Sequence, residues 1–173
     1  MEETWKAVEV YSNLLRIRGQ IQVLPGARLS DEVNRLERFM TLYNASAEPL
    51  VSSYPVVSRQ ESSSAVAKSQ VVMVVPEAEA EAEQNRGLWR QKVQHQVVLN
   101  TTAFALTAEI HLEPRMTLAQ HIEQSGNEFL AVTRVNAIVI PSLGNGTPNT
   151  FQRAFALVNP LAIVSYSIRP PAS

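Results

Sequence analysis

The sequence predicts a mainly β protein of the α+β kind, an internal tandem duplication of a ββαββ unit that forms either small barrels or one shared pseudo-symmetric barrel or sandwich. Three observations predict it. The chain matches itself, the matching segments alternate apolar and polar residues, and each copy carries a short helical pattern after a proline-broken turn. A shift of 89 places sets Val8 on Val97, Val10 on Leu99, Leu15 on Phe104, Ile17 on Leu106, Gly19 on Ala108, Ile21 on Ile110, Val23 on Leu112 and Pro25 on Pro114. A shift of 90 sets Phe39 on Phe129, Met40 on Leu130 and Leu42 on Val132, and a shift of 91 lays AVAKSQVVMVV on ALVNPLAIVSY. The expected divisions are 1–76 for the first unit, 77–92 for an acidic linker or short helix, and 93–173 for the second unit.

The elements follow in order. KAVEVYS alternates up to a turn at Ser12-Asn13, and LLRIRGQIQVL then places Leu15, Ile17, Gly19, Ile21 and Val23 on one face, which reads as a hairpin with one buried side. Its outward residues are Arg16, Arg18, Gln20 and Gln22, against Ala105, Thr107, Glu109 and His111 in the second unit. The small residues Gly19 and Ala108 at mid-strand suggest a bend where the sheet curls. Pro25-Gly26 ends the strand, Ser30 is the expected helix N-cap with Asp31 and Glu32 in the first turn, and Leu29, Val33 and Leu36 form one apolar face. In the second unit Thr117 and Gln120 have capping-box spacing. FMTLYNASAEPLV and FLAVTRVNAIVI read as third strands, and SQVVMVV and AFALVNPLAIVSYSI as fourth. Residues 52–64 and 141–150 read as polar loops, Trp89 as a packing anchor, and the RPPAS tail as frayed.

Composition disfavours general nucleic-acid binding, while leaving room for a local basic stripe, and narrows the other function classes. A formal net charge of -1 and a pI near 6.3 give no broad basic field for a nucleic-acid backbone. The absence of cysteine removes disulfides and thiolate metal sites. The acidic MEETWKAVEV start and the lack of any run near the roughly 18 apolar residues of a membrane span predict no membrane insertion and a cytoplasmic location. Each unit, roughly 70 residues, has a thin core, which favours packing on its twin or on another copy.

The segment RIRGQIQVLPGARLSDEVNRLERFMTLYNA carries an Arg-x-x-Gly strand, a proline turn, an Arg-x-Ser-Asp-x-x-Asn helix start and a Phe-x-x-Leu strand. The residues are Arg16, Gly19, Pro25, Arg28, Ser30, Asp31, Asn34, Phe39 and Leu42. In this it resembles a family of small bacterial β-rich domains of unknown function, a resemblance that covers about thirty residues of the first unit and implies no activity. The order of short strands is also loosely similar to Sm-like barrels, which assemble into rings and bind single-stranded RNA. The helix here falls between the second and third strands rather than before the first, and aromatics make up only 6% of the chain, against the stacking platform such binding needs.

No catalytic constellation is predicted. Asp31 is the sole aspartate and lacks a GxSxG elbow; it either serves the helix start or joins Arg28 and Asn34 in a polar ligand site. His95, His111 and His121 have no metal-ligand spacing, GNGTPN lacks the context of a phosphate cradle, and no metal or cofactor is expected. Glu109 and His111 share one strand face within reach of a common ligand. Arg16 and Arg18, two residues apart on one face, suit bidentate contact with carboxylates, including Glu109 and Glu113 of the other unit or of a neighbouring subunit. The expected function is a non-catalytic structural or regulatory one through protein-protein contacts or self-association. The alternatives are an Sm-like nucleic-acid binder and a small-ligand sensor.

Overall fold

A computed structural model describes residues 4–51, 60–77, 92–126, 128–140 and 149–169. The expected loop at 52–59, most of the linker with Trp89, residues 141–148 and the end of the RPPAS tail lie outside them. The first half runs β1 (Thr4–Ser12), β2 (Leu15–Val23), α1 (Leu29–Arg35), β3 (Phe39–Pro49), β4 (Gln60–Ala67) and β5 (Val71–Pro76). The second runs β6 (Val93–Thr101), β7 (Phe104–Leu112), α2 (Leu118–Ser125), β8 (Leu130–Val139), β9 (Thr150–Val158) and β10 (Ile163–Ile168).

Three details correct the sequence reading. Each half has five strands rather than four, because single 3₁₀ turns at Lys68–Gln70 and Pro160–Ala162 break the last apolar stretch into two strands. Residues 60–64, expected as loop, open β4: their serines carry no apolar alternation, but the backbone pairs with β3 from Ser46↔Gln60 to Phe39↔Ala67. Helix α1 is capped from Arg28 rather than Ser30, and the Arg28 amide donates to Asp31 Oδ2 at 3.2 Å, so the carboxylate serves the helix start as expected. In α2 the Gln120 amide donates to Thr117 Oγ1 at 3.2 Å and the Thr117 amide to Gln120 Oε1 at 2.9 Å.

All ten strands form one antiparallel sheet in the order β10-β6-β7-β8-β9-β5-β1-β2-β3-β4. The pairing of β5 with β9 joins the two halves into this one sheet. Within each half the pairing register is the same. Val8 faces Gly19 as Val97 faces Ala108, and Ile17 faces Ala47 as Leu106 faces Ala137. Met40 faces Val66 as Leu130 faces Val158, which puts the last strands 92 residues apart, not 91. Ile21 and Ile110 are both buried. Irregularities recur at matching places, between Arg18 and Gln20 and between Thr107 and Glu109. Opposite them Asn44 and Arg134 take left-handed conformations, φ 51° and 50°. A Cβ at Gly19 would stand 3.0 Å from the Tyr43 carbonyl oxygen, a close approach that glycine relieves, while Ala108 occupies the matching place in the second half.

Two apolar cores result, and each takes residues from both halves. The first contains Val8, Val10, Ile21, Leu29, Val33, Met40 and Val74, completed by Phe129, Phe155 and Leu157. The second contains Leu99, Phe104, Leu106, Ile110, Leu118 and Val132, completed by Tyr11, Met73 and Val75. Central strand β5 alternates Met73, Val74 and Val75 between the two, as a strand buried on both faces must. Among the described residues no helix is long and apolar enough to cross a membrane.

Candidate functional site

The ladder joining the halves is short. Only Met73↔Val158 and Val74↔Leu157 pair, although β5 continues to Pro76, which has no N–H to donate. Beyond that point the strands leave a cleft of about 690 Å³ lined by Glu9, Pro76, Arg134, Asn136, Gln152 and Arg153.

Glu9 is the electrostatic centre of this region, only 5% exposed. Val8 and Val10 point into the first core, so strand alternation turns Glu9 and Tyr11 to the opposite face. The hairpin register sets Glu9 opposite Arg18 and Tyr11 opposite Arg16. Arg18 Nε donates to Glu9 Oε1 at 3.2 Å, and Arg16 Nη2 lies 3.2 Å from the same oxygen. Tyr11 Oη and Arg153 Nη2 each donate to Oε2 at 2.7 Å, the latter from the other half of the chain. Glu48 stands 3.0 Å from Arg16 Nε, but the alignment is too poor for a hydrogen bond, and that buried nitrogen has no hydrogen-bond partner. Burial alone would raise the Glu9 pKa; hydrogen bonds from Arg153, Tyr11 and Arg18 outweigh it and hold the carboxyl below its ordinary value. The Tyr11 phenol is pushed up by burial and by the carboxylate it faces. Glu9 is therefore a fixed anion and Tyr11 a fixed donor. Together they clamp β1, β2 and β9.

The expected site residues are distributed otherwise than the sequence suggested. Arg16 and Arg18 do share a face, but Glu9 and Glu48 of their own half hold them, in place of the expected Glu109 and Glu113. Glu109 instead receives Arg134 Nη1 at 3.0 Å and the Gln94 side-chain amide. Glu109 and His111 both approach Thr133: its Oγ1 donates to the Glu109 carbonyl at 3.5 Å and lies 3.4 Å from His111 Nε2. Of Arg28, Asp31 and Asn34, the last two are engaged within the chain. Asp31 is engaged at the helix start, while Asn34 Oδ1 accepts the Phe129 amide at 2.8 Å and ties α1 to the second half. Among the described residues no group of three or more His, Asp and Glu side chains is placed to hold a metal ion.

Sequence reasoning missed Glu9, Tyr11, Arg153 and Asn159. The first two were accessible, since a two-residue turn after Ser12 sets Glu9 across from Arg18 and Tyr11 across from Arg16. Arg153 and Asn159 act 144 and 88 residues from their partners, and no local pattern signals them. Asn159 closes the junction: its side chain donates to the Lys68 and Val71 carbonyls at 3.2 and 2.8 Å, and its amide to the Val72 carbonyl at 2.9 Å. No protein-family pattern, curated protein or solved structure matches the chain.

Proposed function

We propose that the protein is a non-catalytic structural or regulatory component acting through protein-protein contacts, and that its halves are duplicated ββαβββ units arranged as a partial, pseudo-symmetric barrel. The matching registers and the recurring left-handed bulge residues support the duplication. In the same view, the pattern shared with the small bacterial domains is a scaffold signature: Gly19 permits the bend, Asp31 caps a helix and Asn34 locks the halves.

One observation carries the functional reading. Among the described residues the sheet ends on β10, which pairs there with β6 alone and whose outer residues Val164 and Tyr166 are 71% and 44% exposed. An apolar row beside unpaired backbone groups is the chemistry by which extended chains add to a sheet. The charged cleft argues in the same direction, because its ion pairs are spent on joining strands. The test is a photo-reactive amino acid at position 166 of the full chain in its native cell, with exposed Gln20 as control position. A discrete protein adduct, from position 166 only, is expected. An RNA adduct, or none, overturns the reading and, in the first case, favours the nucleic-acid alternative.

A further inference from the structure

We propose that the partner at this rim is a second copy of the chain, β10 of one copy pairing antiparallel with β4 of the next in the register that β5 and β9 use inside the chain. This rests on the contact reading above and gives it an occupant. The argument begins with the two ends of the sheet. β10 is the positional counterpart of β5, and β4 of β9, each 92 residues apart. β5 and β9 meet; β10 and β4 are the ends of the strand order, with no ladder between them among the described residues. The inner junction therefore has a counterpart with both halves present and unjoined. Transposing Met73↔Val158 and Val74↔Leu157 by 92 residues gives Ser165 opposite Val66 and Tyr166 opposite Ala65.

The side chains beside the two ends are those the inner junction buries. Phe129, adjoining β8, is 5% exposed and packs in the first core beneath Lys68, whose Nζ is 5.7 Å from the ring centroid. Its counterpart Phe39, at the β4 end, is 48% exposed. Val74 is fully buried, whereas its counterpart Tyr166 lies open on β10 with Val164 and Ile168. At the inner junction Asn34 accepts the Phe129 amide, and its counterpart by the 89-residue shift, Glu123, is an exposed side chain that can accept the Phe39 amide. β10 also lacks the usual protection of an edge, since IVSYSI contains no charge and no proline and alternates apolar residues with serine. The copy-to-copy junction is weaker than the inner one. Ala67 stands where the Asn159 side chain donates two hydrogen bonds across the inner junction, and Ser63 and Ala65 where Phe155 and Leu157 fill the core. Association is accordingly reversible and rises with concentration. Because the two surfaces differ, the contact is head-to-tail, and it closes into a ring or continues as an open chain.

The chain has no cysteine, so introduced thiols report on register without background. Directly opposed residues of an antiparallel pair have Cα atoms about 4.5–5.5 Å apart, within disulfide range. Mixing full-length A65C with full-length Y166C under mild oxidation is expected to give the mixed disulfide about tenfold faster than either homodimer, because pairing raises the effective thiol concentration. A dominant Y166C homodimer would show β10 pairing with itself and overturn the proposal. A monomeric internal disulfide in the A65C/Y166C double variant, with no linked dimer, would show intramolecular closure and overturn it equally. Absence of any accelerated disulfide, with circular dichroism showing both variants folded, overturns the second-copy occupant; the position-166 adduct to a different protein would then still stand for the contact reading.

Discussion

Replacing Glu9 with alanine is expected to lower stability by about 3 kcal/mol, near the lower end for breaking a buried ion pair. The carboxylate is buried while Arg16, Arg18 and Arg153 reach solvent in part, so the stranded guanidiniums regain some hydration and the full penalty does not develop. Tyr11 loses its acceptor as well, its ring fixed against Phe104 and Phe151 at centroid distances of 5.5 and 5.2 Å. Urea denaturation of both proteins measures the difference, and a loss under 0.5 kcal/mol, the size of an ordinary surface change, would refute the role given to Glu9. The pH dependence has a definite sign. Since the folded pKa of Glu9 is below its ordinary value of 4.5, its contribution is complete above that pH and is lost as the pH falls through the folded value. The gap between wild type and Glu9→Gln should therefore be widest near neutrality and shrink below about pH 4.5.

Truncating Leu157 to alanine is expected to cost about 3 kcal/mol, in the middle of the range for buried leucines. Leu157 is fully buried, faces Val74 across the inner junction and belongs to the core of the opposite half. Because each core takes side chains from both halves, damage at this point should lower one cooperative transition rather than split it. Calorimetry should show a single endotherm in wild type and in Leu157→Ala, the latter displaced downward by roughly 6–12 °C for a chain of this size. An endotherm that separates into two, with one component unmoved, would mean that the halves fold independently.

Much of the frame was legible from local pattern. Alternation in LLRIRGQIQVL marked Ile17, Ile21 and Val23 as buried, and the self-match placed their counterparts correctly. β4 escaped notice because its serines pair through backbone while their side chains meet solvent, leaving periodicity nothing to register. The break between β4 and β5 hid in an apolar stretch in which a single 3₁₀ turn carries the chain from its pairing with β3 to its pairing with β1. The site was less legible than the fold. Arg16 and Arg18 stood out as a charged pair, but their partner Glu9 depended on hairpin register, and the third arginine on that carboxylate, Arg153, on the meeting of β9 with β5. The motif residue Asn34 suggested a ligand, and its acceptor oxygen is used on the backbone of the other half.

Sedimentation of the full chain over a hundredfold range of concentration, alongside Tyr166→Glu, tests most directly whether the open rim is a contact surface between copies. Tyr166 is exposed, so the substitution leaves the fold in place, while a carboxylate at this position opposes burial against a neighbouring strand. The expected result is a weight-average mass that climbs from 19.2 kDa toward its multiples in wild type and stays at 19.2 kDa in the variant. A wild-type mass fixed at 19.2 kDa throughout, or an association untouched by Tyr166→Glu, would contradict it.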